Sequence, residues 1–124
     1  MRILIVEDEF LLASAWAGSL QAAGYEPHCA ASIQQAFDSI AASPPDICTP
    51  DANVRGASSE PVAAELARRG IPFIVVSGFP ASAIAGALAG ARFLKKPLRS
   101  AALVRALDDL RYAAERRPAG ADRP

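Results

Sequence analysis

The residues best placed to do chemistry in this chain are acids that follow short apolar runs. Glu7, Asp8 and Glu9 come directly after Ile3-Leu4-Ile5-Val6, and Asp51 comes after Ile47-Cys48-Thr49-Pro50. Two further runs end in other polar tips: Phe73-Ile74-Val75-Val76 leads into Ser77-Gly78, and Phe93-Leu94-Lys95 leads into Lys96-Pro97. If these tips share one mouth, three or four carboxylates crowd together and repel unless a cation offsets them. A hard divalent ion does that, and a few carboxylates with room for water suit Mg²⁺ better than a closed cage would. With a hydroxyl and an ammonium alongside, the set can support a phosphoryl group on a carboxylate. The cation and Lys96 would each bind a phosphoryl oxygen, and Ser77 would donate to the remaining one. Each residue alone has a plainer use, as acids at a helix start, a turn aspartate, a cap serine or a solvated lysine. Only the combination points to chemistry.

The elements that must position these tips alternate in type. Ile3 to Val6 and Phe73 to Val76 read as parallel core strands covered on both faces. Tyr25 to Ala30, Asp46 to Pro50 and Ala91 to Lys95 read as weaker strands. Helices fit Glu9 to Ala23, with Leu12, Trp16, Leu20 and Ala23 on one face, and Ser32 to Ala42, capped by Ser32. Two more fit Ser59 to Arg69, with Ser59 as N-cap and Pro61 in the first turn, and Ser100 to Ala114. Five strand-helix alternations predict a doubly wound α/β sandwich. The common flavodoxin-like order 2-1-3-4-5 would place Pro27 on an edge strand, where a missing N–H is tolerated. Ligands in such sheets bind beyond the strands' carboxyl ends at the switch point, which this order puts between strands 1 and 3.

Length and composition set outer limits. At 124 residues the chain suits one domain, expected over 1–115, followed by a disordered tail over 116–124 rich in Pro, Ala, Gly and Arg. Thirteen basic and 13 acidic residues cancel, which argues against nucleic acid as a partner. No apolar run is long enough to span a membrane and no signal-peptide layout is present, so a cytoplasmic protein is expected. Cys29 and Cys48 fit no metal-spaced cluster and are expected to be buried thiols on strands too far apart for a disulfide. His28 is expected to be a partly exposed strand residue.

Glu7-Asp8-Glu9, Asp46 with Asp51 and Asn53, Ser77-Gly78 and Lys96-Pro97 occur in the order and at the strand ends of a response regulator receiver domain, which residues 2 to about 114 resemble. The resemblance implies Asp51 as phosphoacceptor, with Mg²⁺ held by Asp8 and Asp51, by Glu7 through water and by the backbone carbonyl of Asn53. It implies Ser77 and Lys96 as the switch hydroxyl and the phosphate-binding lysine, and Phe93 as the aromatic switch. A histidine kinase or histidine phosphotransfer protein would supply the phosphoryl group to what reads as a stand-alone, monomeric or weakly dimeric regulator. An unknown protein target would read the signal. Asn53 and Phe79 occupy positions suited to tuning the phosphoryl lifetime, Phe79 by shielding the site from water.

Three features depart from the pattern. The stretch from Ser77 to Lys96 is short and rich in Ala and Gly, so the fourth helix is expected to be short or disordered. Pro72-Phe73-Ile74-Val75-Val76-Ser77-Gly78-Phe79 resembles a receiver subfamily named for a Pro-Phe-x-Phe-Ala-Thr-Gly-Tyr motif. Pro50 falls within a central strand, where it removes a ladder N–H and implies an early strand end or a bulge that would shift Asp51. That shift is the ground for a rival reading, a receiver-like scaffold that binds its partner without phosphate. A haloacid-dehalogenase-type hydrolase is a weaker rival, because it normally wants a second aspartate where Asn53 stands.

Overall fold

The computed structural model describes residues 1–80 and 86–115. Five strands, β1 (Arg2–Val6), β2 (Glu26–Ala30), β3 (Ile47–Pro50), β4 (Ile74–Ser77) and β5 (Arg92–Lys95), alternate with helices α1 (Phe10–Ala22), α2 (Ile33–Ala42), α3 (Glu60–Arg68) and α4 (Ser100–Glu115). Strands β2, β1 and β3 pair in parallel, as do β4 and β5. Parallel bridges Cys48–Phe73 and Asp51–Val76 join the two groups, which gives the expected order 2-1-3-4-5. Pro27 lies on the edge strand, and the neighbouring Glu26 amide reaches the Met1 carbonyl at 2.9 Å. Alternation along β2 therefore points the Pro27 nitrogen away from β1.

Pro50 neither ends β3 early nor bulges it. The β1–β3 register runs unbroken from Ile3–Ile47 to Val6–Pro50, and the Asp51 amide reaches the Val6 carbonyl at 2.9 Å. The cost falls on the other edge. The amides of Cys48 and Ala52 donate to the carbonyls of Pro72 and Val76 at 3.1 and 3.0 Å. By that alternation the nitrogen of residue 50 faces Ile74, where proline has no hydrogen to give. This is why β3 and β4 meet only through isolated bridges. A lost rung costs about 1 kcal/mol, while each fully buried Ile or Leu contributes roughly 1.5–3 kcal/mol. The apolar layers outweigh the defect. On one face Ile3, Ile5, Ile47, Ile74 and Val76 pack against Trp16, Leu20, Leu103 and Leu107, and on the other Leu4, Val6 and Cys48 pack against Ile40, Val62 and Leu66.

Between β4 and β5 the described residues hold a 3-10 turn, Gly86–Leu88, whose Leu88 is buried with Ala52, Ala63 and Val75. Residues 81–85 of the expected short or disordered fourth helix, and the 116–124 tail, lie outside the described residues. No helix among the described residues is long and apolar enough to cross a membrane.

Four local expectations need correction. Cys29 is exposed rather than buried, because it sits on the edge strand and α1 covers it only in part. Ala23 is exposed at the C-cap of α1, and the inward positions are Ala13, Trp16 and Leu20. Ser59 occupies the N-cap position of α3 but makes no side-chain cap bond. The segment after Asp51 is more than a turn, since Asn53–Val54 pairs antiparallel with Ala57–Ser58. Arg55 and Gly56, at φ of 52° and 78°, form the connection.

Burial pushes the Cys48 thiol far above its ordinary pKa. A thiol reagent added to native protein is therefore expected to modify Cys29 and spare Cys48, with the second equivalent reacting only on unfolding. Mass spectrometry of the labelled peptides checks this.

Candidate functional site

The mouth forms at the switch point, where β1 and β3 end side by side. Asp51 is 8% exposed and Glu7 2%, whereas Asp8 is exposed. Carboxylate oxygens of Glu7, Asp8 and Asp51 lie within 4.8 Å of one another. Lys96, one residue past β5, donates from Nζ to Glu7 Oε1 at 2.5 Å and to Asp51 Oδ2 at 2.6 Å. Its backbone is held in turn, since the Lys96 amide reaches the Ser77 carbonyl at 2.8 Å. The same Nζ stands 5.9 Å from the centre of the Trp16 ring, a contact that the sequence did not suggest.

Backbone amides hold the acids in place. The Glu9 amide donates to Glu7 Oε2 at 3.1 Å, the Asn53 amide to Asp51 Oδ1 at 3.2 Å, and the Arg55 amide to Asp8 Oδ2 at 3.1 Å. The short ribbon therefore has a purpose: its tip turns an amide toward Asp8. Buried Ser77 accepts at Oγ from the Phe79 amide at 3.0 Å, which leaves its own proton available to donate. Phe79 is held through that amide and is 60% exposed. Phe93 packs half-buried against the cluster of Ala52, Ala63, Val75 and Leu88.

The electrostatics follow from burial and pairing. Burial pushes Glu7 above the usual carboxylate range, against the pull of its bond from Lys96. Asp8 is held below that range: burial works upward on it, but the Arg55 amide and Glu7 outweigh that effect. Burial also works against the Lys96 ammonium, yet its bonds to Asp51 and Glu7 raise its pKa above the ordinary 10.5. Three carboxylates facing one ammonium leave an excess of two negative charges when all are ionised. A hard divalent cation matches that excess, and the exposed Asp8 side leaves space for its water ligands.

A doubly wound parallel sheet with a carboxylate mouth at its switch point and a lysine salt-bridged into it is an arrangement able to accept and hold a phosphoryl group. Residues 3–108 match the response regulator receiver domain, and the chain belongs to that family. Its fold is similar to that of a CheY-like receiver domain from Methylobacillus flagellatus, at 24% identity and a TM-score of 0.73 over 89% of this chain and 98% of that one. It is also similar to a CheY-like receiver from Methanospirillum hungatei, at 22% identity and 0.77 over 92% and 95%. A third similar structure is the response regulator TrrA from Thermotoga maritima in complex with Mg²⁺-BeF, at 22% and 0.76 over 88% and 97%. No curated protein matches it in sequence. Family membership makes this a phosphoryl-accepting module of two-component signalling, served by a histidine kinase or phosphotransfer partner.

Proposed function

We propose that Asp51 is the phosphoacceptor, that Asp8 and Asp51 with Glu7 through water and the Asn53 carbonyl hold Mg²⁺, and that transfer comes in line from a partner's phosphohistidine. The observation that carries this reading is the Lys96 ammonium, 2.6 Å from an Asp51 oxygen inside a three-carboxylate cluster. When bound, Mg²⁺ would supply charge neutralisation at the transferring oxygens. The chain's own residues supply the rest. Asp51 Oδ attacks phosphorus while the donor imidazole leaves. Lys96 moves from the carboxylate to a phosphoryl oxygen, and Ser77 turns its free proton to another. The added charge of about −1.5 to −2 draws Ser77 and Lys96 inward, and Phe93 follows into the vacated space. Phe79 then shields the phosphoaspartate, and Asn53, beside it, tunes its lifetime.

Phe10 and Leu11, 78% and 79% exposed at the start of α1, offer apolar grip beside the mouth for the phosphodonor. The signal passes to another protein by contact, in the cytoplasm, from a monomer or weak dimer. The phosphate-independent scaffold has lost its support, since Pro50 leaves the Asp51 amide paired to β1.

Acetyl phosphate with Mg²⁺ is expected to add one phosphoryl group, labile to hydroxylamine, and EDTA is expected to prevent it. No incorporation from acetyl phosphate or from any phosphohistidine donor would reject the proposal. Trp16, the only tryptophan, reports the same site through its contact with Lys96. Its emission is expected to change on Mg²⁺ titration and to saturate with one ion per chain.

A further inference from the structure

Ser59 is a serine at a helix start whose hydroxyl is used elsewhere. Fully buried, it donates from Oγ to the Asp51 carbonyl at 2.5 Å, while its amide donates to the Ala52 carbonyl at 3.0 Å. One residue therefore binds two consecutive carbonyls at the head of β3.

The Asp51 peptide needs such a partner. In a continuing parallel ladder its carbonyl would accept from the amide of residue 8. However, β1 ends at Val6, and Asp8 already lies in a bend. One residue upstream, Pro50 has no amide to give to β4. The segment that carries the nucleophile keeps the Asp51 and Ala52 amide bonds but lacks one strand bond on each side, and Ser59 forgoes capping α3 to supply one. A buried carbonyl left without a donor would otherwise shift toward whatever donor or water it could reach.

We propose that Ser59 is a positioning residue for phosphotransfer: its buried hydroxyl replaces the bond lost where β1 ends and so holds the Asp51 peptide, one rung short at Pro50 as well, in the in-line geometry. The role rests on Asp51 being the phosphoacceptor.

The test follows phosphorylation of the full chain by acetyl phosphate and Mg²⁺ over a range of donor concentrations. Ser59→Ala is expected to lower the maximal rate constant on the order of ten- to a hundredfold, with little change in the half-saturating donor concentration. Pro50→Val restores the amide facing Ile74, so adding it to Ser59→Ala is expected to recover part of the rate. In the wild-type protein the Ser59 hydroxyl proton is expected as a slowly exchanging NMR signal that shifts when beryllofluoride and Mg²⁺ bind, a readout that requires no variant to fold. An unchanged maximal rate in Ser59→Ala, an equal Ser59→Ala effect with and without Pro50→Val, or a hydroxyl signal unmoved by the adduct would each overturn the assignment. A wild type that takes no phosphoryl group would instead reject the phosphoacceptor reading itself.

Discussion

Asp51→Asn is expected to incorporate no phosphoryl group while folding at least as stably as the wild type. An amide oxygen lacks the charge that makes the carboxylate a nucleophile, so transfer from acetyl phosphate or a phosphohistidine stops. Stability moves the other way. The Asn side-chain oxygen can still accept from the Asn53 amide, as Asp51 Oδ1 does at 3.2 Å. Lys96 keeps its bond to Glu7 at 2.5 Å, and one of three crowded carboxylates is gone. Relief of that repulsion is expected to offset the lost Lys96 pairing, leaving the unfolding free energy from urea denaturation without Mg²⁺ unchanged or raised by up to about 1 kcal/mol. Adding Mg²⁺ is expected to stabilise the wild type more than the variant, because a ligand that binds only the folded state adds stability that grows with the logarithm of its affinity. A variant markedly less stable than the wild type in metal-free buffer would show that Asp51 has a structural role outweighing the repulsion.

Lys96→Met is expected to damage both chemistry and stability. Removing the ammonium that would bind a phosphoryl oxygen is expected to slow transfer on the order of 10²- to 10³-fold. In metal-free buffer Glu7, with a side chain 1% exposed, loses its counter-charge. Breaking a dry pair costs about 3–5 kcal/mol; the Lys96 side chain is 20% exposed, so about 1–3 kcal/mol is expected here. Mg²⁺ is expected to recover part of that loss. The pH dependence has a definite sign. The folded pKa of Lys96 is raised, so its stabilising contribution is complete below the ordinary 10.5 and is lost as pH rises through the folded value. Urea denaturation of wild type and variant across the alkaline range is expected to show their difference narrowing from 10.5 upward. A gap that persisted unchanged would place the Lys96 contribution in packing rather than charge.

Much of the site was legible because it consists of strand ends. Apolar runs of four or five residues followed by acids, a serine or a lysine can be read directly, and parallel winding carries their tips to one edge. The strand order came from the common flavodoxin-like arrangement, and Pro27, whose missing amide costs no ladder bond at an edge, fits it. What escaped depends on partners far along the chain or on rare backbone angles. Ser59 before Glu60 and Pro61 looks like a cap, and the carbonyl that claims its hydroxyl lies eight residues back. The ribbon after Asp51 turns at Arg55-Gly56, and an arginine at positive φ is a weak turn signal beside Asn-Gly or Asp-Gly. The effect of Pro50 depends on which neighbour its nitrogen faces, and only the register decides that. The contact between Trp16 and Lys96 joins residues eighty positions apart, and no periodicity encodes it.

The central claim is that Asp51 carries the phosphoryl group beside a cation held by Asp8. The most direct measurement is a crystal structure of the chain grown with Mg²⁺ and beryllofluoride. The account predicts beryllium on an Asp51 carboxylate oxygen, Mg²⁺ in contact with Asp8, Asp51 and the Asn53 carbonyl, and the Lys96 ammonium on a fluorine. An intact fold with the adduct on another residue, or with the ion bound away from Asp8, would contradict it.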